Sequence, residues 1–189
     1  ESDHTFQNTA KAYLLRDNWQ RFSKWHSKMR LITVKSEKHS DPWANERNQR
    51  DAIVDGLHDA EPSDMIIVGD VDEILRTNTL KILRTGTFGI YGFRMPLFNF
   101  KFNYMMVTAD FYSVWGMATR KELMIPADEF RQQRFHLAAL PLNYNDNGVR
   151  IMEHAGWQFT YLGDVDFAKY KIKSFYNYST EIIQKTPIL

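Results

Sequence analysis

The chain has 189 residues, no cysteine, and 24 Lys+Arg against 23 Asp+Glu, for a formal charge of +1. That length suits a single domain in which folding removes about 70% of the unfolded chain's surface from water. The missing cysteine excludes disulfides, thiolate metal sites and a cysteine nucleophile, and the even charge argues against a nucleic-acid surface built on bulk charge.

In chain order, "ESDHTFQNTAK" lacks the charged-then-apolar order of a signal peptide. No later apolar run approaches the roughly 20 residues of a membrane span, so a soluble, cytoplasmic chain is expected. "WQRFSKWHSKM" sets Trp19, Phe22, Trp25 and Met29 at three- and four-residue steps, the pattern of an amphipathic helix. "RLITV" (30–34) reads as a short β-branched strand. "SDPWANERNQRDAIVDGL" then opens a helix, with Asp41 as N-cap and Pro42 at its first position. "MIIV" (65–68) follows as a continuous apolar run, the signature of a strand buried on both faces of a parallel sheet.

Past residue 76 the pattern changes. "FRMPLFNFKFNYMM" alternates, with Phe98, Phe100, Phe102 and Tyr104 on one face and Asn99, Lys101 and Asn103 on the other, as in a strand with one wet side. "DFYSVWGMATR" reads as its partner strand, "ADEFRQQRF" as a short helix and "LPLNYNDNG" as a loop. "GWQFTYL" reads as a further strand and "DVDFAKYKIKSF" as a closing helix. The expected fold is α/β: a mostly parallel central sheet flanked by helices, with a smaller antiparallel portion, in one domain spanning 1–189.

The chemistry concentrates where "MIIV" runs into "GDVDEIL". Asp70, Asp72 and Glu73 would stand at the carboxyl end of a parallel strand, where open α/β sheets bind ligands. Two carboxylates one residue apart can reach a hard divalent cation that takes its other ligands from water and substrate phosphates. The plainer alternative is an acidic turn whose Asp caps the helix "NTLKILR". "GDVD" recurs at 163–166, directly before a helical stretch, so Asp164 or Asp166 there reads as a cap or first-turn charge. On the helix from Trp43, Arg47 and Arg50 fall on the apolar stripe with Val54 and Leu57. They either pair internally, as Arg50 with Glu46, or present a guanidinium fork to an anionic ligand. None of the six histidines has a partner at zinc-site spacing, and only His154, in "EHAGW", stands before a strand of interest. No GxSxG, P-loop or Rossmann glycine pattern is present.

"ESDHTF", "WANERNQRDAI", "DMIIVGDVDEI", "AGWQFTY" and "KIKSF" occur in the order and approximate spacing of glycosyltransferase family 17, which the chain resembles over nearly its whole length. The family includes β-1,4-mannosyl-glycoprotein β-1,4-N-acetylglucosaminyltransferases and bacterial and viral relatives. The resemblance implies a GT-A-type, metal-dependent inverting enzyme that moves a sugar, such as N-acetylglucosamine, from a nucleotide-sugar donor (a UDP-sugar) to a glycan acceptor. Carried over, Asp70 and Asp72 would hold Mn2+ or Mg2+, with Glu73 beside them; His154, from its place before the strand rather than from the resemblance, is a further candidate metal ligand. Arg47, Arg50, Asp70, Trp157, Lys171 and Ser174 would serve the donor. Gln158 and Asn177 stand where relatives carry histidine, and Leu75 where proline is usual. The family's upstream "FNNELDLLEIRL"-like stretch is not in the chain, so either an N-terminal strand-helix segment of the family is missing here or part of the nucleotide pocket is built differently.

Inversion requires a carboxylate base on the acceptor side, and Glu153 is the first candidate, followed by Asp146 and Asp128. A relative that binds sugar or nucleotide without turning it over is one alternative. An Asp-x-Asp phosphohydrolase is another, disfavoured because its motif normally follows the first strand and continues to Thr or Val, whereas position 74 is Ile.

Overall fold

The computed structural model describes residues 1–5, 9–37, 41, 43–107 and 112–173, which fall into two compact units, Glu1–His58 with the segment from Ala168, and Asp59–Phe167. In the first unit, α1 (Leu14–Asp17) leads into a 3-10 helix over Trp19–Lys28, and α2 (Trp43–Asp51) continues as a 3-10 helix over Ala52–Leu57. The expected amphipathic helix is therefore present as the tighter 3-10 form, and it buries none of its residues. Trp19 instead stacks on His26 at 4.6 Å. Asp41 does what its position suggests: its Oδ1 accepts the Trp43 N–H at 2.9 Å.

The strand expected over 30–34 reduces to one parallel bridge, Ser2 with Val34. The backbone groups a strand would need are taken by the chain start: the N-terminal ammonium donates to the Ile32 carbonyl at 2.7 Å, and the Val34 N–H to the Glu1 carbonyl at 2.8 Å.

The second unit is a seven-stranded sheet with the path β1 (Met65–Val68), β4 (Tyr112–Arg120), β3 (Ile90–Asn99), β6 (Val149–Met152), β5 (Asn145–Asp146); β7 (Gly156–Thr160) joins β3 and β2 (Glu73–Leu75). The long strand β3 organises it. One edge pairs antiparallel with β4, while the other runs parallel to β6 over Ile90–Phe93 and parallel to β7 over Leu97–Asn99. Only those two ladders are parallel. The β1–β4, β3–β4, β2–β7 and β5–β6 ladders are antiparallel, so the expectation of a mostly parallel sheet is corrected: the fold is mixed α/β with a mostly antiparallel sheet.

The reason lies in "MIIV". Its apolar run is continuous in sequence, yet only Ile66 and Val68 are buried and Ile67 is 42% exposed. Among the described residues β1 pairs only with β4, as an edge strand with one buried face. The alternating run around Phe98 is corrected too. Strand β3 stops at Asn99, Phe100 takes φ 65°, and the chain turns back so that the Asn99 N–H donates to the Tyr104 carbonyl at 2.9 Å.

The core packs Tyr91, Phe93 and Met95 of β3 against Ala118, Met152, Ala155 and Leu83 of α3 (Thr77–Thr85). Each large side chain fully withdrawn from water there contributes about 1.5–3 kcal/mol. Two short helices, α4 (Ala127–Gln132) and α5 (Arg134–Ala138), lie in the crossover from β4 to β6. The last helix, α6 (Val165–Lys173), follows the second "GDVD", whose Asp164 Oδ1 accepts the Phe167 N–H at 2.8 Å, the capping role its sequence position implied. No helix among the described residues is long and apolar enough to cross a membrane.

Candidate active site

The acidic stretch leaves the carboxyl end of β1 as a tight turn, closed by the Glu73 N–H donating to the Asp70 carbonyl at 3.0 Å. Neither aspartate caps α3. That helix begins after Arg76 with no side-chain cap, so the plainer reading of the motif as a helix cap does not hold for the first copy. The turn instead enters β2, whose register sets Glu73 opposite Gln158, Ile74 opposite Trp157 and Leu75 opposite Gly156.

Glu73 is the residue on which the turn is built. Its side chain is 2% exposed and its Oε2 accepts the Asp70 N–H at 3.0 Å. Arg131 of α4, itself buried, donates from Nη2 to Glu73 Oε1 at 2.9 Å and also to Asp70 Oδ2. Burial pushes the Glu73 carboxyl up to about 6; Arg131 opposes that rise and the neighbouring Asp70 charge adds to it. Glycine makes the arrangement possible: a Cβ on Gly69 would stand 2.7 Å from Glu73 Oε2. On the other side of β2, a Cβ on Gly156 would lie 2.1 Å from the Ile74 carbonyl oxygen, so only glycine lets β7 approach β2.

Asp70 remains 48% exposed at its side chain although Arg131 holds it. Asp72 is half-buried, and its carbonyl accepts the Phe159 N–H at 2.9 Å, tying the turn to the end of β7. Trp157 sits one pair along the ladder, with the Arg76 guanidinium 4.2 Å from its ring centroid. The donor set of the turn fits a hard cation: two carboxylates one residue apart, one of them open to solvent, leave the remaining positions to water and phosphate oxygens. No group of three His, Asp or Glu side chains that could hold a metal ion exists among the described residues.

His154 does not join the aspartates. Phe159 is level with Asp72, whereas His154 lies beyond the opposite end of the β2–β7 ladder, at φ 50°, with its N–H donating to the Tyr112 hydroxyl at 2.9 Å. Glu153, beside it, has a partner that was not foreseen. Arg94, on the buried face of β3, donates from Nη1 to Glu153 Oε1 at 3.0 Å, and from Nη2 to the carbonyls of Ala138 at 3.2 Å and Leu140 at 3.0 Å. The same Oε1 accepts the Asn143 N–H at 3.0 Å, so this carboxylate anchors the loop before β5. Asp146 is exposed on β5 and accepts the Asn147 N–H at 2.7 Å. Asp128 is buried in the first turn of α4, three positions before Arg131 and therefore on the same side of that helix.

In the first unit, Arg50 Nη2 donates to Glu46 Oε1 at 2.8 Å, the i, i+4 pair anticipated from sequence, and Arg47 donates to Asp41 Oδ2. Lys171 is half-buried on α6, and Ser174 and Asn177 lie outside the described residues. Sequence reading missed Arg131 altogether. Its only signal was the first of two arginines in "ADEFRQQRF", and nothing in that segment says that β1 and α4 meet.

Among known proteins, the sequence model of glycosyltransferase family 17 matches residues 1–137. No curated protein and no solved structure matches the chain.

Proposed function

The chain belongs to glycosyltransferase family 17 and is a glycosyltransferase; from that premise we propose that it transfers a sugar, with inversion, from a nucleotide-sugar donor to a glycan acceptor at the Asp70–Glu73 turn. The observation that carries this reading is the buried Arg131–Glu73 pair beneath an aspartate that stays half exposed. An acidic turn held by a buried ion pair at a strand end suits positioning of a diphosphate through a cation.

Asp70 and Asp72 would hold Mn2+ or Mg2+, which supplies charge neutralisation for the departing nucleoside diphosphate. The chain's own residues do the rest. Arg131 fixes Asp70 by its Oδ2 and keeps the turn from rearranging when anionic substrate arrives. Arg76 and Trp157 form a flat, cation-backed surface along β2 and β7 suited to the donor's ring. Arg47 and Arg50 each already hold a carboxylate, whose paired oxygens have the geometry that a phosphate also presents to a guanidinium.

The acceptor hydroxyl loses its proton to a carboxylate as it attacks. Of the three candidates, Asp128 lies on the same side of α4 as Arg131, whose guanidinium holds Glu73 and Asp70. We assign the base to Asp128. The test is metal-dependent turnover of UDP-sugars by wild-type protein and by Asp72→Asn and Asp128→Asn. The reading expects activity in the wild type, donor binding lost in the first variant, and turnover lost with donor binding kept in the second.

A further inference from the structure

Besides Phe135 and Phe167, the exposed aromatic side chains of the second unit are gathered in one place among the described residues. Phe100, Phe102 and Tyr104, in the turn after β3, are 46%, 72% and 55% exposed. They meet the end of β7: Phe102 packs edge-on against Phe159 at 5.2 Å, Phe98 leans on the same ring at 5.5 Å, and Phe100 stacks with Tyr161 at 6.0 Å.

Two of these rings are held by backbone that non-glycine residues seldom adopt. Phe100 and Tyr161 both have left-handed φ, at 65° and 52°, and the Phe100 N–H donates to the Thr160 carbonyl at 3.1 Å. Such conformations persist only where the surroundings impose them, and they cluster at ligand sites. Polar side chains share the turn with the rings: Lys101 and Asn103 are exposed there, and the Lys101 ammonium stands 5.4 Å from the Tyr104 ring centroid.

We infer that this aromatic turn is a platform for the pyranose rings of a neutral oligosaccharide, the acceptor glycan of the reaction proposed above, on which this inference rests. The C–H faces of a pyranose are weakly positive and suit the negative faces of aromatic rings, while its equatorial hydroxyls need amide and ammonium partners at the rim. A turn that exposes aromatic rings beside Lys101 and Asn103 offers both. A lipid surface would want the rings without the amide, and a protein partner would want a larger continuous patch. Position adds to the argument. The Phe159 N–H donates to the Asp72 carbonyl at 2.9 Å, so the platform starts at the acidic turn, where an acceptor has to arrive.

The test is saturation-transfer NMR on the full chain with N-acetylglucosamine, chitobiose, chitotetraose and mannotetraose. It is accompanied by calorimetry of UDP binding with Mn2+ and by co-sedimentation with phosphatidylcholine–phosphatidylglycerol vesicles. The platform predicts saturation of ring C–H protons and at least tenfold tighter binding of one tetrasaccharide than of the monosaccharide. Phe102→Leu, at an exposed position, should keep the unfolding temperature and weaken that tetrasaccharide tenfold, while Phe102→Trp restores it. The inference is overturned by no saturation with any of the four sugars, by Phe102→Leu binding as tightly as wild type, or by Phe102-dependent sedimentation with vesicles. Calorimetry separates the two levels: UDP binding without sugar binding removes the platform alone, and sugar binding without UDP binding removes the donor reading alone.

Discussion

Arg131 and Glu73 form a buried ion pair at 2.9 Å, and the same guanidinium nitrogen holds Asp70, so one side chain of α4 fixes two of the three carboxylates of the turn. Breaking a buried pair by removing one partner typically costs 3–5 kcal/mol because the other charge is left uncompensated. Glu73 can relieve part of that cost by taking a proton, since its carboxyl already sits at about 6. Arg131→Met should therefore destabilise the protein by about 3 kcal/mol at pH 7 and by less at pH 5. Arg131→Met with Glu73→Gln should cost less than the sum of the two changes. Chemical denaturation at both pH values checks this.

The pH dependence of the parent protein follows from the same carboxyl. Its folded value, about 6, is above its ordinary 4.5, so between those limits the folded state binds more protons than the unfolded. Stability therefore falls as pH rises through that window, by on the order of 2 kcal/mol for this group. Glu73→Gln should remove that slope. The comparison is made by urea unfolding from pH 4.5 to 7 with chelator present, and an unchanged slope in the variant assigns it to other groups.

Glu153 and Asp128 divide two roles in the account. Glu153→Gln leaves Arg94 buried with its charge unmatched, so thermal unfolding should drop by several degrees. Asp128→Asn should lose roughly 100-fold or more in turnover, with donor affinity little changed in the folded protein. The reverse pattern, a stable but inactive Glu153→Gln beside an active Asp128→Asn, would return the base to the β6–β7 turn.

How much of this was legible in the sequence differs from segment to segment. Local signals carried well: Asp41 and Asp164 bond the backbone N–H groups their positions suggested, Arg50 pairs with Glu46, and the chain does turn at Asp70–Glu73. Sheet direction did not. "MIIV" is apolar throughout, but an edge strand with an exposed Ile67 has the same letters as a buried parallel one, and only its pairing with β4 tells them apart. The alternation through Tyr104 misled for a related reason, because period-two patterning continues through a turn in which Phe100 reverses its φ. Within the site, the aspartates were readable as a strand-end motif. Arg131 and Arg94 were not, since their partners are 58 and 59 residues away in the chain and sequence spacing carries no information about such contacts.

Arg50 permits a sharper substitution. Arg50→Lys keeps the charge opposite Glu46 but loses the planar fork, so it should preserve the helix and weaken UDP binding about tenfold. Calorimetry with Mn2+ reads the affinity and circular dichroism the helix. Equal UDP affinity in variant and parent would leave Arg50 with its Glu46 pair as its whole role.

If the Asp70–Glu73 turn positions a nucleotide sugar through a divalent cation, as proposed, the purified chain with Mn2+ releases nucleoside diphosphate from a panel of nucleotide sugars, and that release can be measured directly. The account predicts release from at least one UDP-sugar, abolished by chelator, restored by Mn2+ or Mg2+, and reduced at least 100-fold by Asp72→Asn. Release that persists undiminished in chelator, or in Asp72→Asn, would contradict it, as would a failure to release diphosphate from any donor in the panel.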